Sequence, residues 1–175
     1  MRAIHACPLP DEALTHRFRS AGTYTDCYST DVARQVTHAE FVEGFYTTAL
    51  FKLERWILLF AAAVPSTDDE ARALARGERE SFAAWTVEAR APDQLLMRDV
   101  TGRTRSWLMV ARSGQSSSTR LYFGSVVVPV RDAKTGGTSL GPVHGRLLGF
   151  HKLYSRLLLR AAARKLRTST FRMRA

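Results

Sequence analysis

The chain has 175 residues, 45% of them hydrophobic and 24% charged, a composition typical of a globular protein and too apolar for a disordered one. The longest apolar run, Trp56 to Val64, is less than half of the roughly twenty residues that a bilayer span needs, and the first residues lack the apolar stretch of a signal peptide. We therefore expect a single soluble, cytoplasmic domain over residues 1–175, with a formal net charge of +10.

The N-terminal part begins with an irregular segment. Residues 1–21 contain two prolines and predict a lead-in with at most one helical turn, around residues 11–17. Thr23 to Val32 is rich in Thr, Tyr and Val, with polar residues at alternate positions. This pattern predicts a half-buried first strand.

Two helices follow, each with its own start signal. Thr37 with Glu40 forms a capping box, and apolar residues then recur at helical spacing from Phe41 to Phe60, which predicts one long helix ending at Pro65. Thr67 with Glu70 predicts a second, shorter helix that Gly77 closes.

From Ser81 the apolar period changes from 3.6 to 2, which predicts strands. Short turns join four of them into an antiparallel meander, so that five strands are expected in all. The four begin at Trp85, Leu95, Thr104 and Thr119. The glycine-rich stretch Asp132 to Pro142 is interpreted as a mobile loop.

A final amphipathic helix is predicted from Val143 to Arg167. Nine basic residues and no acidic one follow residue 145, whereas the preceding part is nearly neutral. Lys165 falls within the apolar sector, so we expect close packing to end near Ala162 and the basic tail, residues 167–175, to be frayed.

This element order predicts an α+β fold in which two N-terminal helices and a long C-terminal helix accompany an antiparallel meander, the C-terminal helix packing across the sheet in a helix-grip arrangement. The phrases LFKLERW, TGRTRSWLMV and TRLYFGS resemble those of uncharacterised bacterial proteins near the START and Bet v 1-like superfamily, and the likeness covers roughly residues 24–166. It implies a core over residues 22–166 and a hydrophobic small molecule held between sheet and helix. Some members of the superfamily are lipid carriers, and others are cyclases or hydrolases.

Candidate cavity residues are aromatic or titratable side chains on elements that should converge. They are Phe45, Trp85, Trp107, Tyr122, His151 and Tyr154. Asp26, Glu54, Asp99 and Arg105 are candidate polar anchors, the acids also being candidate general acids or bases. The alternatives are that the same aromatic residues fill the core, that His151 is a core or helix-edge histidine, and that Arg105 belongs to a solvated charge ladder.

The common nucleotide, hydrolase and metal motifs do not occur in the sequence, and no cofactor or metal is predicted. Cys7 and Cys27, which are not in zinc-binding or CxxC spacing, are interpreted as free thiols in a reducing compartment. We expect a protein that binds an apolar or amphipathic small molecule. One alternative is a cyclase or hydrolase type of enzyme using the same cavity, with His151 or a buried acid as proton carrier. Another is an accessory protein whose basic residues 146–175 contact nucleic acid or an anionic membrane.

Overall fold

A seven-stranded antiparallel sheet organises the fold, in the order β1-β2-β7-β6-β5-β4-β3. The computed structural model describes residues 3–19, 23–53, 65–114, 117–131, 138–139 and 144–168. The strands of the sheet are β1 His5–Ala6, β2 Tyr24–Val32, β3 Ser81–Phe82, β4 Trp85–Ala91, β5 Gln94–Asp99, β6 Thr104–Arg112 and β7 Thr119–Val127. The helices are α1 His38–Tyr46, α2 Asp68–Ala75 and α3 His144–Thr168, with a 3-10 helix at Leu14–Phe18 and further helical residues at 49–53.

The α+β meander with a long C-terminal helix is confirmed, but the predicted number of five strands is wrong. The two additional strands, β1 and β3, lie at opposite edges of the sheet and have two residues each. Two residues are too few to show an alternating pattern, so these strands left no periodic signal in the sequence. A separate hairpin joins β8, Val130–Arg131, to β9, Thr138–Ser139. The rest of the predicted loop, 132–137 and 140–142, lies outside the described residues.

The first helix begins where the capping box predicts but ends earlier than expected. Thr37 Oγ1 accepts a hydrogen bond from Glu40 N, and Glu40 Oε2 accepts one from Thr37 N. The helix stops at Tyr46, because Thr48 Oγ1 accepts from Phe51 N and thereby caps a new helical segment at 49–53. One uninterrupted helix from Thr37 is therefore wrong; residues 54–64 lie outside the described part.

The second helix matches its prediction at both ends. Thr67 and Glu70 form a reciprocal capping box. Gly77 has a φ of +78°. In this conformation the Gly77 N–H donates to the Leu74 carbonyl, and the Glu78 N–H donates to the Ala73 carbonyl. These two bonds form a Schellman motif, which favours glycine at this position.

The third helix packs across the sheet against β2, β7 and α1. Its buried side chains include Leu158, Leu159, Ala162 and Leu166, whereas Leu157 is 42% exposed. Packing therefore continues past Ala162, contrary to the expectation from Lys165. The Lys165 ammonium lies between the helices and donates to the backbone oxygen of Thr47, which is one of the terminal carbonyls of α1.

The two faces of the sheet carry separate hydrophobic clusters. We call the side under α1 and α3 the helix face; its cluster includes Phe41, Phe45, Leu95, Leu108 and Leu121. The opposite side is the far face, where Trp107, Leu96, Met109 and Cys27 are covered by Ala13, Leu14 and Phe18 of the N-terminal segment. The predicted irregular lead-in therefore serves as the cover of the far face. Among the described residues, no helix is long and apolar enough to cross a membrane.

Candidate functional site

A cavity of about 160 Å³ lies on the helix face between the sheet and the first half of α3. Its aromatic and aliphatic lining comprises Phe45, Phe51, Trp85, Phe123, Tyr154 and Leu158. Its polar lining comprises Thr104, Arg105, Ser106, Ser125, His151 and Ser155. The volume has room for about five water molecules, and it matches the roughly 150 Å³ of an engineered apolar cavity that binds benzene.

The apolar end of the cavity is built around Phe45. The ring centroid of Phe45 lies 4.9 Å from that of Phe123 on β7 and 6.0 Å from that of Phe51. These distances are typical of favourable aromatic pairs. Phe51 reaches this position because the break at Thr47 and Thr48 redirects the chain after α1.

The polar end contains a chain of three side chains from three elements. Asp26 of β2 lies beside Ser125 of β7, because the two residues are paired in the register of these strands. Asp26 Oδ1 accepts from Ser125 Oγ at 2.5 Å and from Ser125 N at 3.0 Å. His151 Nε2, on α3, lies 2.6 Å from the same Ser125 Oγ. The side chain of Asp26 is 8% exposed and that of His151 28%, so the chain runs from the interior toward solvent.

The direction of the hydrogen bonds follows from the chemistry of the groups. The Ser125 hydroxyl donates to Asp26 Oδ1, so its proton points to Asp26. The lone pairs of Ser125 Oγ then face His151, and the imidazole donates from Nε2. Tyr24 also donates to Asp26 Oδ2, at 3.1 Å. Burial and the adjacent Asp26 raise the pKa of the Tyr24 phenol, which keeps it a donor.

Ser155 stands out in the cavity lining, because its hydroxyl is buried without a partner. The residue is 1% exposed, and within the described part of the chain its Oγ has no hydrogen-bond partner. An unsatisfied buried hydroxyl costs about 1–3 kcal/mol, so such groups usually have a partner in native structures. A polar ligand atom or a water in the cavity would supply it.

Four of the six predicted cavity residues line the cavity, namely Phe45, Trp85, His151 and Tyr154. The other two, Trp107 and Tyr122, belong to the far-face cluster, with ring centroids 6.3 Å apart. Trp107 Nε1 donates to Gln94 Oε1 there. These two aromatic residues therefore cannot contact a ligand on the helix face, and the expected convergence of all six is corrected.

The predicted polar anchors separate in the same way. Asp26 belongs to the polar end through Ser125. Arg105 borders the cavity, but its guanidinium lies on the far face, over the Phe18 ring and with Nε 3.0 Å from Glu88 Oε2. The Arg105 guanidinium is therefore engaged in an ion pair with Glu88.

Of the remaining two anchors, Asp99 is not among the described residues that line the cavity. The carboxylate of Asp99 closes the turn between β5 and β6, accepting from the N–H groups of Arg103 and Thr104. Glu54 lies outside the described residues.

Sequence reasoning did not identify Ser125 or Ser155 as site residues. Serine is common in strands and helices alike, and neither residue lies in a motif. One available signal was parity: Phe123 and Ser125 are two apart on one strand and must share a face. The other was the spacing of His151 and Ser155, which are four apart and lie on one side of a helix. Across the described residues, no group of three or more His, Cys, Asp or Glu side chains is arranged to hold a metal ion.

The comparisons with known proteins leave the family open. No family model matches the chain, and no curated protein matches it. The crystal structure of a protein from Rhodobacter sphaeroides is similar, with 15% sequence identity over 94% of this chain and 95% of that one, at a TM-score of 0.41. The sheet and helix described above are compatible with a helix-grip fold.

Proposed function

We propose that the protein binds a small, neutral, monocyclic aromatic molecule in the cavity under α3. The single observation that carries this proposal is the buried, unpartnered hydroxyl of Ser155 in a cavity that is otherwise aromatic at one end. The aromatic end suits a ring, and the Ser155 hydroxyl and His151 suit a hydroxyl or carbonyl group on it. Binding modes of this kind occur in the superfamily that the sequence resembles.

The size and charge of the cavity narrow the class of ligand. A space of about 160 Å³ matches one six-membered ring with a small substituent. The Asp26 carboxylate is one hydrogen bond away from the cavity, while the Arg105 guanidinium is turned to the far face. This arrangement disfavours an anionic ligand. Phenol and benzaldehyde therefore represent the class better than benzoate.

Calorimetry and thermal shift with phenol, benzaldehyde, benzoate and laurate test the proposal. We expect phenol or benzaldehyde to bind at millimolar or lower concentration and to raise the melting temperature, and laurate to have no effect. Ser155→Ala should weaken binding about 3–10-fold, the effect of one lost hydrogen bond. The control is Ser81→Ala, at an exposed serine of β3. The proposal fails if none of the aromatic probes binds, or if Ser155→Ala binds them as well as the unmodified protein does.

The hydrogen-bonded chain supports a second candidate, an esterase-like hydrolase that uses the same cavity. Ser125 Oγ lies between a carboxylate and an imidazole, both within 2.6 Å, so its proton has an acceptor when the oxygen attacks a carbonyl carbon. His151 could then donate a proton to the leaving oxygen. The substrate class would be a phenyl ester of a short acid, which matches the cavity in size.

Hydrolysis of phenyl acetate distinguishes this enzyme from a binding protein. We expect turnover above the buffer rate, reduced at least about 100-fold in both Ser125→Ala and His151→Ala, because general acid–base catalysis contributes on that scale. The second candidate is abandoned if the protein leaves the ester intact, or if His151→Ala hydrolyses it at the full rate. Phenol binding would in either case report separately on the first proposal.

A further inference from the structure

Two thiols meet on the far face, away from the cavity. Cys7 follows β1, and the pairing of His5 with Ser29 and Ala6 with Tyr28 brings it opposite Cys27 of β2. Cys7 N donates to Cys27 O at 3.0 Å, and the two Sγ atoms lie 3.3 Å apart. They are thus in contact as free thiols and need to approach by little more than 1 Å to reach the roughly 2.05 Å of a disulfide.

The two thiols differ in exposure and in acidity. Both cysteines border a shallow surface depression that Arg19 and Thr25 also line, but Cys7 is half-buried whereas Cys27 is buried. The hydrogen bond from Cys27 lowers the pKa of Cys7 to about 6, aided by Ser29 and the charge of Arg120 and opposed by burial. The same hydrogen bond, together with burial, raises the pKa of Cys27. Cys7, the more exposed thiol and the one whose pKa is lowered, is therefore suited to be the attacking cysteine, and the buried Cys27 to be the resolving one.

We propose that Cys7 and Cys27 form a peroxide-sensitive pair that closes reversibly to a disulfide and fastens β1 to β2. The Cys7 thiolate attacks one oxygen of hydrogen peroxide, the O–O bond breaks, and hydroxide leaves to be protonated to water, which leaves Cys7 as the sulfenic acid. Cys27 Sγ, deprotonated as it attacks, then bonds to Cys7 Sγ and displaces hydroxide, which becomes a second water. Two thiols and one peroxide thus give one disulfide and two waters.

The geometry favours the second step over further oxidation. The resolving sulfur is already in van der Waals contact with the attacked sulfur. Reduction by a cytoplasmic thiol pool reverses the link, in keeping with the reducing compartment that the sequence predicts.

The test is treatment of the whole reduced protein with hydrogen peroxide, followed by intact mass, thiol titration and peptide mapping under non-reducing conditions. We expect loss of both thiols and of two hydrogen atoms, a peptide pair joining Cys7 to Cys27, and recovery with dithiothreitol. Closing a 20-residue loop should also raise the melting temperature by on the order of 10 °C.

Matched variants separate the two roles. In Cys27→Ser, Cys7 should accumulate as a sulfenic acid that dimedone traps, with no rise in melting temperature. In Cys7→Ser, the remaining thiol should react at least about 10-fold more slowly, since it is buried and protonated. The proposal is overturned if both thiols of the unmodified protein survive peroxide, if the disulfide joins two chains, or if dimedone fails to label Cys27→Ser. Neither variant alters the cavity, so ligand binding remains an independent measurement.

Discussion

At the scale of single residues, position in an element predicted site membership better than residue type did. His151 was recognised because a histidine in the apolar sector of an amphipathic helix must point at the sheet, and it does contact Ser125. Trp107 was misplaced because its strand alternates: the Ser106 side chain lies on the helix face, so the Trp107 side chain lies on the far face. If the face on which one β6 side chain lies were known, alternation would give the face of every other side chain in the strand. The sequence alone does not supply that first assignment, because both faces of the sheet are apolar.

His38, the first residue of α1, should make stability depend on pH. Burial, more than any other factor, lowers its pKa to about 4, against about 6.5 in the unfolded chain. Between these values the unfolded chain binds a proton at His38 that the folded protein does not, so the contribution of His38 to the free energy of unfolding is fully present above pH 6.5 and is lost as pH decreases to 4. The loss amounts to about 3 kcal/mol. Urea unfolding of His38→Gln should show a fall between pH 7 and pH 4.5 that is smaller by roughly 2 kcal/mol.

Carboxylates such as Glu40 also lose stabilising hydrogen bonds in acid. This loss occurs in the unmodified protein and in His38→Gln alike, so it cancels from the difference between their free energies of unfolding. An equal fall in both proteins would show that His38 titrates normally in the folded state. The expected sign is opposite to that of a salt-bridged histidine, whose contribution is lost as pH rises.

At the scale of elements, the ends that have side-chain caps were predictable and the interruption of the first helix was not. The apolar period runs through Thr47 and Thr48 without a break, so the hydrophobic pattern indicates continuity. Thr48 Oγ1 nevertheless donates a hydrogen bond to the preceding Phe45 O and accepts one from the following Phe51 N. Thr48 is therefore both the last residue of one turn and the cap of the next. Paired threonines inside an otherwise apolar pattern were the available signal.

Gly124 of β7 should tolerate no side chain, because two strands and a tryptophan meet there. A Cβ at this position would lie 2.8 Å from the backbone oxygen of Asp26 and 3.0 Å from Trp107 Cε3. Gly124→Ala should therefore lower the free energy of unfolding by about 1–3 kcal/mol, as overpacking of a core does. Gly114→Ala, where a Cβ meets nothing within 4 Å, is the control in the same urea titration. Equal stability of the two variants would mean that both Trp107 and the backbone of β2 at Asp26 can move aside.

At the scale of the whole molecule, the order of elements predicted the architecture, while the cover of the far face left no trace in the sequence. A meander and a long amphipathic helix can bury their apolar faces against each other in few ways. The packing of the helix face could therefore be predicted from the order of the elements. The N-terminal segment looked irregular because its regular elements are short: β1 has two residues and the 3-10 helix at Leu14–Phe18 has five. That the basic residues 146–175 contact nucleic acid or an anionic membrane stays a prediction.

Gln94 should be the main polar link between the N-terminal segment and the sheet. Its side-chain oxygen accepts from Leu14 N and Trp107 Nε1, and its amide donates to Glu12 O. Gln94→Leu leaves these three groups without that partner and should reduce the free energy of unfolding by about 2–4 kcal/mol. Glu12→Ala is a control because it keeps the backbone oxygen. The free energy of unfolding of both variants can be measured by tryptophan fluorescence. Equal stability of Gln94→Leu and Glu12→Ala would refute the role of Gln94.

The pairing of β2 with β7 has a consequence for how the chain is made. The residues of β2 meet partners that follow them by roughly 90 positions. At ribosomal speeds of about 5–20 residues per second, β2 therefore waits several seconds before its partner strand emerges. Tyr28 and Val32 are without their native neighbours on β7 during that interval, so this stretch is where we expect chaperones to act and where a truncated chain would aggregate first.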